Sequence, residues 1–367
     1  MTHPPSKPPQ TEVLELLTRK IAAQALTQVA ELGVADLLKD GPRTAEQLAA
    51  AARVQEDVLY RVMRALAGVG FFTEHPGRVF ANNANSEVLR TDVPGSMRAM
   101  ARWLGEETSW WKAWGHLGHS LRSGGSAAEV AFGGTAFEFF GREPRVNEIF
   151  QAAMTDFSVV TARAVVEAYD FSGIRRIVDV GGGHGTLLSA ILSALPEATG
   201  VLYDLPEAID GADATLKACG QFKRIEKVAG NFFDTVPDNA DAYIMKHIIH
   251  DWDDARCIRL LENCHKGLNP GGRVLIVEQV INDRPESVMG KLFDLEMLVM
   301  TSGGRERTEG EFQKLLRSAG FEMQRIVPTK SPVCVVEAVV AKPVRDTDGS
   351  ARHPGAVAAP APQGVVA

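Results

Sequence analysis

The stretch Arg176-Ile177-Val178-Asp179-Val180-Gly181-Gly182-Gly183-His184-Gly185-Thr186-Leu187-Leu188 decides how the rest of the chain is interpreted. Its apolar run at residues 177–180 predicts a buried strand, and apolar residues at helical spacing resume at Leu187. Between them, glycines at 181, 183 and 185 let a ligand approach bare backbone beside a helix N-terminus. This spacing is tighter than the G-x-G-x-x-G pattern of dinucleotide-binding folds. The stretch therefore predicts an α/β fold with a ligand at the carboxyl end of a strand.

Two acidic residues accompany these glycines. Asp179 lies inside the strand, and Asp204 follows a second apolar run at residues 201–203, where a carboxylate can bind both hydroxyls of a ribose. A tight turn without a ligand would explain the glycines alone but not the two acids. No Lys-Ser or Lys-Thr follows the glycines, which disfavours a P-loop. The combined set resembles the S-adenosylmethionine (SAM) site of class I methyltransferases.

Composition and charge describe an ordinary globular protein with room for two domains. The chain has 367 residues, of which 45% are apolar and 23% charged, and its formal net charge is −7. This acidic balance argues against a dedicated nucleic-acid binder. The four cysteines form no C-x-x-C pair, which favours free thiols in a reducing compartment. With no signal-like N-terminus and no apolar stretch of about 18 residues, the sequence predicts a cytoplasmic protein without a membrane partner.

Residues 1–100 have the pattern of a winged-helix-like domain. Thr44 and Gln47 form a capping box, a helix with an apolar face follows at 55–68, and a short hairpin comes next. The module could bind DNA or pack against a partner subunit. The 55–68 helix carries two acidic residues beside its two arginines, whereas phosphate contacts need a net basic face, so dimerisation is the favoured role.

Residues 101–342 are expected to hold substrate-pocket helices and a catalytic domain. Aromatic and methionine side chains are dense over residues 96–170, which suits a core and also the wall of a pocket for a flat apolar substrate. From residue 177 strand and helix patterns alternate, which predicts a doubly wound sheet with a final antiparallel hairpin. The predicted strands are 177–180, 201–203, 224–228, 242–245, 274–278, 321–327 and 333–340. Proline-rich residues 1–10 and the tail at 343–367 are expected to be disordered.

A second stretch could carry catalysis. In Lys246-His247-Ile248-Ile249-His250-Asp251-Trp252, which follows a predicted strand, His250 could accept a proton near neutral pH. A lone histidine is also common as an ordinary surface or core residue, and His247 and His265 are competitors. Glu278, at the end of the next strand, or Glu306, in a later loop, could orient the imidazole and stabilise its charged form.

Taken together, these motifs resemble the family of SAM-dependent small-molecule O-methyltransferases that includes caffeate, acetylserotonin and bacterial polyketide-tailoring enzymes. The resemblance covers about residues 10–342. It is carried by Phe150-Gln151-Ala152-Ala153-Met154, Val178-Asp179-Val180-Gly181-Gly182-Gly183, Tyr203-Asp204-Leu205-Pro206, Gly230-Asn231-Phe232-Phe233, Met245-Lys246-His247-Ile248-Ile249-His250-Asp251-Trp252 and Gly303-Gly304-Arg305-Glu306-Arg307-Thr308.

The resemblance implies a role for each matching position. Cofactor-binding residues would be Ser158, Asp179, Gly181, Gly183, Asp204, Asn231, Phe232 and Lys246. The acceptor pocket would be lined by Phe150, Met154, Phe157, Met297 and Thr301. His250 would be the general base with Glu278 and Glu306 beside it. No metal is implied, and the N-terminal module would be a homodimerisation domain.

Two positions depart from the family pattern. Asn231 stands where the family usually has Asp, yet its amide can still pair with an adenine edge. His184 stands where many relatives have Thr, and no role is assigned to it.

The sequence thus predicts a SAM-dependent O-methyltransferase acting on a phenol or enol of an aromatic natural product. The alternatives are a protein of the same fold with other chemistry, such as decarboxylation, hydroxylation or N-methylation, a nicotinamide oxidoreductase, and a DNA-binding regulator. The glycine spacing disfavours the oxidoreductase, and the acidic charge disfavours the regulator.

Overall fold

The computed structural model describes residues 7–282, 288–342, 344–345 and 351–352. The chain divides into two units, the first of Met1–Arg122 with Ala127–Val160 and the second of Ser123–Ser126 with Thr161–Ala367. The domain boundary predicted at residue 100 stays a prediction. Within the first unit, Thr27 donates to Ala101 O at 2.7 Å and Gln24 donates to Gly105 O at 3.2 Å. These bonds tie the helix after residue 97 to the N-terminal helix.

The first unit is mainly helical. In chain order its elements are α1 (Pro9–Glu31), α2 (Val34–Leu37), β1 (Arg43–Thr44), α3 (Ala45–Ala52), α4 (Glu56–Gly68), β2 (Thr73–His75), β3 (Val79–Ala81), α5 (Ala84–Glu87), α6 (Arg98–Trp103), α7 (Trp110–Trp114), α8 (Leu117–Ser123), α9 (Ala127–Phe132), α10 (Ala136–Arg142) and α11 (Pro144–Ala168), of which the last eight residues belong to the second unit.

The winged-helix pattern is present in this unit. The Thr44–Gln47 capping box forms at the start of α3, and α4 buries Leu59, Met63 and Leu66. The strands form a small antiparallel sheet in the order β1-β3-β2. Helix α1 begins at Pro9, inside the segment expected to be disordered, because a proline is tolerated in the first turn of a helix.

The second unit contains the large sheet. Its elements are β4 (Arg176–Val180), α12 (Thr186–Ala194), β5 (Thr199–Asp204), α13 (Pro206–Gly211), α14 (Asp213–Ala218), β6 (Ile225–Ala229), β7 (Ala240–Lys246), α15 (Asp254–Gly267), β8 (Leu268–Glu278), β9 (Val280–Ile281), α16 (Val288–Met300), β10 (Arg307–Thr308), α17 (Glu309–Ser318), β11 (Phe321–Pro328), β12 (Cys334–Val340), β13 (Val344–Arg345) and β14 (Ala351–Arg352), with 3-10 turns at Phe222–Arg224 and Ile249–Asp251.

Seven of these strands form the predicted doubly wound sheet, in the order β11-β12-β8-β7-β4-β5-β6. Neighbours from β8 to β6 are parallel, while β12 runs antiparallel to β8 and β11 antiparallel to β12. The chain order reverses between β4 and β7, and ligands of such sheets bind beside that reversal at the carboxyl ends of the strands. The glycine turn after β4 and the His250 turn after β7 therefore flank the expected binding crevice.

Two details differ from the sequence prediction or extend it. Strand β8 begins at Leu268, directly after α15, rather than at the predicted residue 274, and it pairs with β7 through a register shift. Within the tail that was expected to be disordered, β13 and β14 pair antiparallel. The other residues of 343–367 lie outside the described residues.

One helix bears on the expected absence of a membrane partner. By length and composition alone α11 could cross a membrane, a property it shares with core helices of soluble proteins. The absence of a membrane partner therefore stays a prediction.

Candidate active site

The glycine turn after β4 disfavours a side chain at its first position. Gly181 has φ 67°, and a Cβ there would lie 2.3 Å from Ile248 Cδ1. The turn is held by Asp204, whose Oδ2 accepts from Gly183 N and whose Oδ1 accepts from Leu205 N, both at 2.7 Å. Burial raises the pKa of Asp204, although these two amides oppose the shift. The turn is a cradle of backbone closed on one side by a carboxylate, which suits a polar ligand with hydroxyls.

Two groups of opposite charge, buried Asp179 and half-buried Lys246, lie on the two central strands next to the turn and influence each other electrostatically. The Asp179 carboxylate on β4 lies so close to Gly182 that a Cβ there would be 2.7 Å from it. Oδ2 of Asp179 has no hydrogen-bond partner among the described residues. Burial raises the pKa of Asp179 to about 7, against the effect of Lys246 on β7. Burial also lowers the pKa of Lys246 to about 8, opposed by Asp179 and Glu278. A bound polar group would supply the missing partner.

Asn231 and Phe232 follow β6. The Asn231 carbonyl oxygen accepts from Phe233 N at 3.0 Å, so the side-chain amide N–H groups are the part left for a ligand. The Phe232 ring packs edge-on against Phe233 and Trp252, and its Cε1 would lie 3.9 Å from a Cβ at Gly181. An aromatic face and an amide donor beside the glycine turn suit a flat heterocycle such as adenine.

His250 lies on the 3-10 turn after β7, and two glutamates hold it in different ways. Glu306 Oε1 lies 2.8 Å from His250 Nδ1 and so contacts the ring. Glu278 Oε1 accepts from the backbone N–H groups of His250 at 3.0 Å and Ile248 at 3.2 Å, and so holds the turn. Of the two glutamates, Glu306 is therefore the one that contacts the ring, and Glu278 the one that contacts the backbone of the turn.

The carboxylates around His250 favour its protonated form. Burial alone would lower the pKa of His250, but Asp251, Glu306 and Glu278 outweigh it and raise the pKa to about 10. Burial raises the pKa of Asp251 to about 6 and that of Glu278 to about 7. His250 therefore carries its proton at neutral pH before an acceptor binds.

Residues that the sequence analysis left without a role also reach this site. Asp251 Oδ1 lies 3.6 Å from His250 Nε2. His247 stacks on His250 with ring centroids 5.0 Å apart, and burial lowers the pKa of His247 well below its ordinary value. A sequence signal existed for both, because they lie in the motif that contains His250. Arg307 is wholly buried beside the same turn, and nothing in the sequence separates it from the exposed Arg305.

One ligand atom each of His250, Glu278 and Glu306 lies within 4.8 Å of the others, a spacing at which three such groups could hold a metal ion. The hydrogen bonds described above already account for this spacing, because Nδ1 is paired with Glu306 and Glu278 Oε1 accepts two amides. We therefore interpret the cluster as a histidine held in place by hydrogen bonds to two glutamates.

The remaining residues predicted from the resemblance fall in both units. Phe150, Met154, Phe157 and Ser158 lie on α11 within the first unit, where Phe150 packs against Trp103 at 5.0 Å between ring centroids and Ser158 Oγ donates to Met154 O at 2.6 Å. In the second unit, Thr301 Oγ1 donates to Met297 O at 2.7 Å and accepts from Gly304 N at 2.9 Å. Thr301 thus holds the loop that leads to Glu306.

Comparison with known proteins places this geometry in a family. A family model described as an O-methyltransferase domain matches residues 114–322, and one described as an O-methyltransferase dimerisation domain matches residues 14–92. The chain is 39% identical over 326 residues to the phenazine O-methyltransferase PhzM of Lysobacter antibioticus, covering 89% of this chain and 95% of that protein. It is also 39% identical to the mitomycin biosynthesis 6-O-methyltransferase of Streptomyces lavendulae, covering 89% of this chain and 93% of that protein.

A solved structure has a similar fold. The crystal structure of human N-acetylserotonin methyltransferase in complex with SAM superposes with a TM-score of 0.83 at 28% identity, covering 93% of this chain and 100% of that one. The fold class, the SAM cofactor and the homodimer expected from the sequence are thereby confirmed. The chain belongs to the SAM-dependent O-methyltransferase family of secondary metabolism.

Proposed function

We propose that this enzyme methylates a phenolic or enolic hydroxyl of an aromatic small molecule, with His250 as the general base. The observation that carries the proposal is the 2.8 Å contact between His250 Nδ1 and Glu306 on a turn beside the glycine cradle. Because Nδ1 is engaged, Nε2 is the atom that can take the acceptor's proton once His250 has released its own. The names of the two bacterial relatives, which refer to phenazine and mitomycin, support a polycyclic or quinone-type acceptor.

The residues of the second unit suit each part of the cofactor. Asp204 would hold the ribose, Asn231 and Phe232 the adenine, and the glycine turn with Lys246 and Asp179 the methionyl part. Bound SAM supplies an electrophilic methyl group on a sulfonium. The protein must then hold the acceptor oxygen in line with the methyl group and remove the proton of the hydroxyl. Positioning supplies a large share of the rate enhancement.

The raised pKa of His250 changes the energetics of that proton transfer. An ordinary histidine facing a phenol leaves a gap of about 3.5 pKa units, or roughly 5 kcal/mol. With its pKa raised to about 10, His250 matches a phenol in the transfer itself, but at neutral pH the imidazolium must first release its own proton, which offsets much of that gain. The same carboxylates then stabilise the imidazolium beside the ionised acceptor.

The pH dependence of kcat/KM tests this account. The productive complex holds one proton between His250 and the acceptor, so kcat/KM should rise as pH passes the acceptor's own pKa and fall above about 10, where His250 loses its proton. Acceptors of graded acidity should therefore shift the rising limb. A rising limb near about 6.5 for every acceptor would instead indicate an unshifted histidine.

Mass spectrometry of the products tests the function itself. The enzyme is incubated with methyl-labelled SAM and a panel of phenols, hydroxyquinones and matched aromatic amines. A labelled methyl ether from at least one hydroxyl substrate is expected. Label on amines alone, or loss of carbon dioxide or gain of oxygen without label, would assign the chain to one of the alternative chemistries.

The assembly is tested separately. Helix α1 exposes Val13, Leu14, Leu16, Leu17 and Ile21 to 58–67% in a single chain, in the region of the dimerisation domain. Light scattering at micromolar concentration should give a dimer, and deletion of residues 11–100 should abolish it. A monomeric full-length chain, or an intact dimer after the deletion, would contradict this expectation.

We place the enzyme in the cytoplasm, as its free cysteines suggest.

A further inference from the structure

We propose that Arg307 is a positioning residue that holds the His250 turn against the segment carrying Glu306. This inference rests on the proposed role of His250. Arg307 is 0% exposed, which is unusual for an arginine.

The guanidinium of Arg307 binds both ends of the turn. Nη1 donates to Ile249 O and Nη2 donates to Trp252 O, each at 2.9 Å. These carbonyls belong to the residue before His250 and to the second residue after it. A planar group with several donors in a fixed fork can satisfy both at once, whereas a lysine ammonium cannot reproduce that geometry.

The other contacts of Arg307 fix the guanidinium itself. Asp254 Oδ1, on the first turn of α15, accepts from Nη2 at 2.9 Å and from Nε at 3.2 Å. In its backbone, Arg307 pairs with Val280 in the parallel register of β10 and β9, two residues beyond Glu278. The residue before Arg307 is Glu306, which contacts the His250 ring. Arg307 thus links the segments that carry the histidine and both glutamates.

The charges around Arg307 suit this role. Burial would lower the pKa of Arg307, but Cys257, Asp254 and Glu278 outweigh it and raise that pKa, so the group stays a cation. The Asp254 side chain is 42% exposed, so its pair with Arg307 is only partly buried. Because the His250–Glu306 contact joins segments 56 residues apart in sequence, its distance depends on how these segments are held. A shift of about 1 Å at a catalytic group can lower the rate about 100-fold.

Arg305 provides a matched control. It is 44% exposed in its side chain and donates to the other oxygen of Asp254 at 2.7 Å, but its side chain makes no recorded hydrogen bond to the His250 turn among the described residues. Arg305→Met therefore removes an arginine from the same motif and the same carboxylate.

The experiment compares Arg307→Met, Arg307→Lys and Arg305→Met as purified full-length dimers. For each we measure the melting temperature, the SAM affinity by calorimetry, and kcat and KM with a weakly and a strongly acidic phenol. Arg307→Met should lose about 10–100-fold in kcat with the weakly acidic phenol and less with the acidic one, while SAM affinity stays within about twofold. Arg307→Lys should fall between, and Arg305→Met should match the wild type.

A purely structural role predicts a different result. Arg307→Met would then melt earlier yet show the kcat and the acceptor dependence of Arg305→Met, which would overturn the inference. If Arg307→Met does not fold, Arg307→Lys decides, and a wild-type kcat with both phenols in that variant overturns it. Failure of the proposed function is distinguishable, because then the wild type methylates no phenol or His250→Ala is fully active.

Discussion

His250→Ala is expected to lose about 10²–10⁴-fold in turnover with a weakly acidic phenol while its SAM affinity stays unchanged. The ring lies on the turn after β7, with Nδ1 held 2.8 Å from Glu306, and the residues proposed to bind SAM lie on or beside neighbouring strands. Removing the ring removes the proton acceptor but leaves the glycine cradle and Asp204 in place. Steady-state turnover, combined with calorimetry of SAM binding, separates these two effects.

Acceptor acidity provides the internal control for this variant. A more acidic hydroxyl loses its proton with less help from the protein, so the loss of turnover in His250→Ala should shrink as the acceptor pKa falls. His265→Ala, on α15 against Phe321, should retain nearly full turnover. His247→Ala should lose less than His250→Ala, because a pKa far below the ordinary value makes His247 a poor base. Wild-type turnover of His250→Ala with a weakly acidic phenol would place the base elsewhere.

Local sequence patterns are sufficient to predict most of the catalytic fold. The strands β4, β5 and β7 are read from short apolar runs because parallel strands covered on both faces bury nearly every residue. Capping boxes at Thr44 and Thr308 form as their spacing predicts. The alternation of strand and helix, together with the terminal hairpin, predicts the doubly wound class, whereas the order of the strands is seen only in the structure.

Which glutamate contacts the His250 ring and which holds the backbone of its turn could not be predicted in the same way. Glu278 and Glu306 lie 28 and 56 residues from His250, and only the folded backbone decides which one reaches the ring. Arg305 and Arg307 alternate in one motif, yet one is exposed and the other buried. Gly304, just before Arg305, passes so close to the turn that a Cβ would lie 2.3 Å from His250 O.

The second large effect concerns cofactor affinity. Asp204→Ala should weaken SAM binding by about 1.5–3 kcal/mol, the loss expected for hydrogen bonds to a charged group, which is about 10–150-fold in Kd. The substitution has two effects. The ribose loses its proposed partner, and Gly183 N loses an acceptor at 2.7 Å, which loosens the glycine turn. NAD(H) should bind neither the wild type nor the variant.

Calorimetry with SAM and with its demethylated product measures this loss. Glu207→Ala is the matched control, because Glu207 is an exposed carboxylate three residues further along the chain, on α13. Its removal should leave the affinity within about twofold, which would separate a specific contact from the general loss of a negative charge. The melting temperature of Asp204→Ala reports whether the turn remains folded. Equal SAM affinity in Asp204→Ala and the wild type would mean that the ribose is held by other groups, and the cofactor would have to be placed differently in the crevice between β4 and β7.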